Sequence, residues 1–347
     1  MMELNERLEV LDLLGKELRR VVEENDASYL AVSSQAYLKN NWFTKDAVDQ
    51  SMLAWADVLI PEMIAEWISR YQISKSFTEK KVGVINAGNI PLVGMHDMIS
   101  VFLSGHIYIG KNSSDDQLLL PYIFSLMQKM NPLLSTRISF TGKLSGFDAV
   151  IATGSNQSAR YFSSYFGKYP NIIRKNRNGV GVLSGQESRT ELETLGKDIF
   201  QYYGLGCRNI SKLYVPEGYD FIKFFESVYS FNEVMQHNKY MNNFDYNNTM
   251  FLMKQLPFLQ NGFLIVREDT RTPSPISVLH YEKYRDRNQL ELHLDNEENA
   301  IQCVVTNDKL ELNSPLKNRV VKFGESQKPA LWDYADGVDT VEFLTKL

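Results

Sequence analysis

In LNERLEVLDLLGKELRRVVEE, Leu8, Leu11, Leu14 and Leu18 recur at helical spacing, and charged residues fill the positions between them. FTKDAVDQSMLAWADVLI keeps that period behind Thr44, a suitable N-cap. IPEMIAEWISRYQI continues it with Pro61 in the first turn. Residues 1–75 are therefore expected to be helical. At Lys81 the pattern changes. KVGVINAGNIP is a short β-branched run closed by Gly and Asn. LVGMHDMISVFLSG then sets Met95, Met98, Ile99, Phe102 and Leu103 on one helical face ahead of Gly105, a fitting stop. HIYIGKNSSD reads as a second buried strand, and DQLLLPYIFSLMQKM as a helix bent at Pro121. FDAVIATGSNQSARYFSSYFG reads as strand, glycine turn and helix, and NIIRKNRNGVGVLSG as strand and loop. This alternation predicts a parallel sheet with right-handed crossovers.

A second unit opens at Ser188. SRTELETLGKDIFQYYG begins with a capping box, Ser188 to Glu191. Its stripe is Leu192, Leu195, Ile199 and Tyr202, and its end is expected at Gly204. ISKLYVP, GFLIVRED and AIQCVVTND follow as strands, so the fold class is α/β again. A chain of 347 residues exceeds one ordinary core and predicts two domains or three. The 44% hydrophobic and 23% charged fractions are those of a soluble globular protein. No apolar stretch approaches the roughly 20 residues that span a bilayer. The charged N-terminal sequence lacks the apolar core of a signal peptide. Two cysteines argue for a reducing compartment, hence the cytoplasm. A net charge of −5 with dispersed Lys and Arg excludes a nucleic-acid footprint. The local basic stretch IIRKNRNG reads as a solvated strand end or as a site for a cofactor phosphate.

The chain has no G-x-G-x-x-G; GVGVLSG (179–185) has the wrong spacing. Two strand-to-helix turns suit a phosphate, since free N–H groups and the helix dipole both favour an anion. These are GKNSS, with Lys111, Ser113 and Ser114, and ATGSN, with Thr153, Gly154 and Ser155; ordinary turn chemistry explains either as well. Cys303, in AIQCVVT, reads as a buried filler. Cys207 sits among Gly204, Gly206, Arg208 and Asn209. There glycine lets a substrate approach the backbone and Arg208 favours a thiolate. Nucleophile and filler both stay open at that position. An attacking thiolate needs oxyanion donors: its own backbone N–H, and Asn86 or Asn89 of INAGNIP, although a turn explains both asparagines. The five histidines show no metal spacing, and neither H-E-x-x-H nor G-x-S-x-G occurs.

The succession INAGNIPLVGMHDMISVFLSGHIYIGKNSS, ATGSNQSAR, NGVGVLSG and GLGCRNISKLYVP resembles the aldehyde dehydrogenase superfamily over residues 80–310. Within it the chain most resembles the fatty acyl-CoA reductases, the group that includes the reductase of bacterial bioluminescence operons; GNIPLVG is the most telling piece. The resemblance implies a helical N-terminus and Rossmann-like cofactor domain over 1–184. It implies an α/β catalytic thiol domain over 185–325 and a tail, 326–347, that packs back or oligomerises. It implies Cys207 as the acyl-accepting nucleophile and Asn89 as the oxyanion amide. Lys111 matches the residue on the adenosine ribose or phosphate, and Ser155 the residue near the pyrophosphate. Glu268 matches the residue on the nicotinamide ribose, without the Phe-Gly pair that normally follows. The implied activity is NADPH-dependent reduction of an acyl-CoA to the aldehyde through an acyl-cysteine. A homodimer and an acyl-carrying or acyl-transferring partner protein stay open.

Two departures from the family sharpen this. NIIRKNRNGVGVL contains no Asp or Glu, so the base that activates the hydrolytic water is missing, which fits CoA chemistry. Ser114 stands where NAD-preferring members carry a carboxylate, three residues after the lysine, so a 2′-phosphate is tolerated and NADPH is expected over NADH. Asp115 or Asp116 would reverse that preference if either reached the ribose. A cysteine-dependent acyltransferase or thioesterase, and a non-catalytic member of the fold, are the alternative readings.

Overall fold

The computed structural model describes residues 2–73 and 78–347. Met1 and the last two residues of the expected helical stretch, 74 and 75, lie outside the described residues. The chain divides into two compact units, 1–175 with 330–347, and 176–329. The division falls earlier than the expected 184, because the strand after Lys175 joins the second sheet and not the first.

The first unit opens with α1 (Leu4–Glu23), α2 (Ala27–Lys39), α3 (Lys45–Val58) and α4 (Pro61–Ser69). The leucine stripe of α1 buries Leu11, Leu14 and Leu18 completely. Thr44 caps α3, its Oγ1 accepting the Ala47 N–H at 3.2 Å. There follow β1 (Lys81–Ile85), α5 (Met95–Ser104), β2 (Ile107–Lys111), α6 (Leu119–Met130), β3 (Ile138–Phe140), β4 (Ala149–Thr153), α7 (Asn156–Phe166) and β5 (Asn171–Arg174). Gly105 stops α5 with a left-handed φ of 86°. Pro121 falls in the first turn of α6 and not at a mid-helix bend; an N–H there has no intrahelical acceptor to lose. Among the described residues the five strands are parallel in the order β3-β2-β1-β4-β5. Alternate strand residues serve opposite faces. Val82, Val84 and Ile151 join the core beneath α1, α5 and α6, while Ile85, Val150 and Ala152 pack on the α7 side with Phe162 and Phe166.

The second unit runs β6 (Asn178–Val182), α8 (Arg189–Phe200), β7 (Ile210–Pro216), α9 (Phe221–Ser227), α10 (Asn238–Met253), β8 (Leu259–Gln260), β9 (Ile265–Glu268), β10 (Val278–Tyr284), α11 (Arg287–Asn296), β11 (Ile301–Val305) and β12 (Val320–Val321). Its sheet has the order β12-β11-β6-β7-β10-β9-β8, parallel except for β8. Leu213, Val215, Leu279, Cys303 and Val305 pack on one face against Leu192, Leu195 and Phe224. Val180, Val182 and Val304 pack on the other against Leu290 and Leu294. The capping box opens α8 as expected, with Ser188 Oγ accepting the Glu191 N–H and Glu191 accepting the Ser188 N–H.

Residues 330–347, ending in α12 (Thr340–Thr345), complete the first unit. Val341 and Leu344 are fully buried in its core. Trp67 Nε1 donates to Tyr334 Oη at 2.7 Å, Tyr71 Oη donates to Asp339 at 2.7 Å, and His96 Nε2 meets the Leu331 carbonyl at 2.8 Å. His106 adds a pH-sensitive tie. The Lys80 N–H donates to its Nδ1 at 3.2 Å, so Nε2 carries the hydrogen and donates to the Leu344 carbonyl at 2.9 Å. Burial, reinforced by the charges of Arg7 and Lys80, holds the imidazole below its ordinary 6.5. The folded state thus keeps the neutral ring, while the unfolded chain takes up a proton as pH falls through about 6.5. This contribution to stability is complete above that pH and lost as pH falls through the lowered folded value. Between about pH 7.5 and 5, the Tm of the native sequence should fall more steeply than that of His106→Gln. Equal slopes would remove His106 from the acid response.

Candidate functional site

The strand order of the first unit reverses between β1 and β4. The loops that leave their C-terminal ends diverge and open a crevice, the usual ligand position in such sheets. A cavity of about 740 Å³ lies there. Its walls include Asn86 and Ala87 after β1, Lys111 at the end of β2 with Asn112 to Ser114 after it, Phe140 to Gly142 at the end of β3, Thr153 and Gly154 at the end of β4, and Ser158 and Phe162 of α7. Lys111, Ser113, Ser114, Thr153 and Gly154 therefore meet in one place. Lys111 is the only charged residue among the described residues lining the cavity. Ser155 does not line it. Its Oγ caps α7, accepting the Ser158 N–H at 3.1 Å, and Ser158 holds the wall in its stead. Sequence reading missed Phe140–Gly142, although FTG repeats the strand-end Thr-Gly of ATG.

The neighbouring polar residues sort themselves. Asp116 is buried and accepts the Leu119 N–H at the start of α6 at 3.1 Å; burial pushes its carboxyl up to about 6. Asp115 is exposed, and neither carboxylate lines the cavity. Asn86 is buried, and its Nδ2 donates to Tyr108 Oη at 2.7 Å and Asn112 Oδ1 at 2.9 Å, tying the loop after β1 to β2. Gly88 permits that approach, since a Cβ there would lie 2.7 Å from Ser113 Cβ. Asn89 is exposed on the same loop. Of the basic stretch, Arg174 is buried, pairing with Asp97 at 2.6 Å and donating to Thr340 Oγ1 at 2.8 Å. Its guanidinium serves the core of the first unit.

Cys207 stands in the second unit, on the connection from α8 to β7. The helix ends at Phe200, short of the expected Gly204, because the backbone turns left-handed: φ is 52° at Tyr202, 58° at Tyr203 and 78° at Gly204. Each tyrosine there is strained by about 1–2 kcal/mol. Residues 206–209 then form a turn closed by the Asn209 N–H donating to the Gly206 carbonyl at 3.0 Å, with half-buried Cys207 second in the turn. Gly179 of β6 lies directly against it. A Cβ at 179 would meet the Arg208 carbonyl oxygen at 2.5 Å and that of Asn209 at 2.8 Å, so only glycine lets the strand come this close. Cys303 packs against the same turn, its Sγ 3.7 Å from the Arg208 carbonyl oxygen. Full burial pushes the Cys303 thiol up to about 12, so it stays protonated at neutral pH.

Glu268 ends β9, is exposed, and pairs with Lys283 at 2.9 Å. The register sets it beside Tyr281, and Tyr281 beside Leu213. Cys207 precedes β7, so the structure places these two residues at different levels of the sheet. Among the described residues no group of His, Cys, Asp and Glu is arranged to hold a metal ion. No helix among them is long and apolar enough to cross a membrane.

No protein-family model and no curated protein sequence matches the chain. Solved structures do. Aldehyde dehydrogenase 21 from Physcomitrella patens, in complex with succinate, superposes with a TM-score of 0.71 at 15% identity, over 99% of this chain and 84% of that one. An NADP-dependent enzyme of E. coli gives 0.65 at 11% identity, over 93% and 78%. An aldehyde dehydrogenase from Bacillus cereus in complex with NAD+ gives 0.60 at 14% identity, over 92% and 76%. The chain has the aldehyde dehydrogenase fold.

Proposed function

We propose that this aldehyde dehydrogenase fold serves an NADPH-dependent acyl-CoA reductase that forms an aldehyde through an acyl enzyme on Cys207. The observation that carries the reading is the contrast between the two thiols. Cys303 is locked, protonated, in the core, whereas Cys207 is half-exposed on a glycine-flanked turn behind strained backbone. In the proposed reaction the Cys207 thiolate attacks the thioester carbonyl carbon, and the carbon–sulfur bond to CoA breaks. CoA leaves as the thiolate and takes up a proton. Asn89 is assigned the amide that steadies the oxyanion. The nicotinamide, when bound, supplies the hydride. Collapse of the reduced carbon on Cys207 returns the thiolate and frees the aldehyde. Residues 171–183 hold no carboxylate, which supports this over hydrolysis to the acid.

The cavity of the first unit suits the adenosine end of the cofactor. Lys111 is assigned as the cation for a 2′-phosphate, and no carboxylate among the described residues lines the cavity with it. Ser114→Glu should therefore lower the NADPH-to-NADH ratio of kcat/KM at least about tenfold, or 1.4 kcal/mol. An unchanged ratio would remove Ser114 from cofactor choice. The function itself is tested by intact mass after incubation with palmitoyl-CoA, with and without NADPH. A palmitoyl adduct on Cys207 that NADPH discharges as aldehyde is expected. An adduct indifferent to NADPH would mean acyl transfer, and no adduct at any chain length would leave a non-catalytic fold.

A further inference from the structure

We propose that Asn209 is the positioning residue of Cys207, holding the thiol-bearing turn against the left-handed backbone that precedes it. The inference rests on the reading of Cys207 as nucleophile. Asn209 is 1% exposed. Its Nδ2 donates to the Asp198 carbonyl at 3.0 Å and the Gln201 carbonyl at 2.9 Å, with the Ile199 carbonyl at 3.4 Å. Its Oδ1 accepts the N–H of Gly206, next to Cys207, at 2.8 Å. These partners fix the amide orientation, since the flipped amide would set its oxygen against carbonyl oxygens and its NH₂ against an N–H. One side chain thus bridges the end of α8 and the residue before the thiol, and the left-handed residues 202–204 lie between its two anchors. The backbone of Asn209 adds two more ties: its N–H closes the turn onto Gly206, and its carbonyl accepts the Gly179 N–H at 3.0 Å.

Asparagine suits the place for a stated reason. Its amide offers donors on one side and an acceptor on the other. Aspartate would set a second oxygen against three carbonyls, and serine does not reach. An asparagine that merely capped α8 would need the carbonyl bonds alone. The bond to the Gly206 N–H is what couples it to Cys207.

The test uses the full chain with Asn209→Ala and Asn209→Asp, reading three quantities. These are acylation of Cys207 by palmitoyl-CoA, the pH–rate profile of Cys207 alkylation by iodoacetamide, and alkylation of Cys303 as the fold control. Expected for Asn209→Ala are acylation at least about tenfold slower and a displaced midpoint in the alkylation profile, with Cys303 still protected. A profile and an acylation rate matching the native protein would overturn the proposal. So would Cys303 becoming reactive in step with Cys207 in both variants, which marks a purely structural role. If the alanine variant does not fold, Asn209→Asp decides, because it keeps the acceptor for Gly206 and loses the donors to the helix; native behaviour there overturns the proposal. If the native chain is not acylated at all, the reductase reading fails, and the alkylation profile alone rules on Asn209.

Discussion

Cys207→Ala is expected to abolish acylation by palmitoyl-CoA and to cut NADPH-dependent aldehyde formation by at least about 10⁴-fold, the scale seen when a covalent nucleophile is deleted. Cys303→Ser should leave both within a few-fold of the native rates. The contrast follows from the two environments. A thiol pushed up to about 12 presents almost no thiolate at neutral pH, whatever its neighbours. Cys207→Ser tests the chemistry and not the shape, because a hydroxyl fills the same space without a thiolate. Turnover that survives in the Cys207→Ala protein, or an acyl group mapping to Cys303, would falsify the assignment.

Asp97→Ala should destabilise the first unit by about 3–5 kcal/mol, because it removes the carboxylate that balances the buried charge of Arg174. At a few degrees per kcal/mol, that is roughly a 10 °C drop in Tm. Arg174→Met together with Asp97→Met should recover most of the loss, since removing a buried pair as a whole is often neutral or stabilising. A double variant as unstable as Asp97→Ala would show that the charges matter less than the packing around them. The pair also joins three elements distant in sequence, α5, β5 and α12, through Asp97, Arg174 and Thr340.

Many of the strands and helices were legible because each carries its own signal: the apolar run of β1, the face of α5 with Gly105 at its end, the capping box of α8. The elements that went unread lack one. Helix α10 buries only Tyr240, Phe244 and Asn247, too few for a stripe to show through its polar residues. Strand β10, VLHYEKY, carries His280, Glu282 and Lys283 and so resembles surface, yet His280 is buried. The end of α8 was misplaced because Gly204 is a natural stop, whereas the left-handed turn already begins at two tyrosines that no propensity favours there. The switch of sheets between β5 and β6 depends on pairing partners far along the chain, which no local pattern records. Ser155 illustrates a subtler limit. The TGS string marked a turn that lines the cavity, but which hydroxyl caps the helix and which faces the cavity is decided by rotation around one helical turn.

The return of residues 330–347 to the first unit has a consequence for how the protein is made. Leu331, Tyr334, Val341 and Leu344 are part of a core otherwise built from the first half of the chain, and the whole second unit is synthesised before they exist. On a ribosome adding about 5–20 residues per second, the second unit can close while the first still waits for its last helix. Newly made first-unit sheet therefore spends seconds with the seat of α12 open. Over that interval it depends on α1, α5 and α6 to keep its apolar face from other chains.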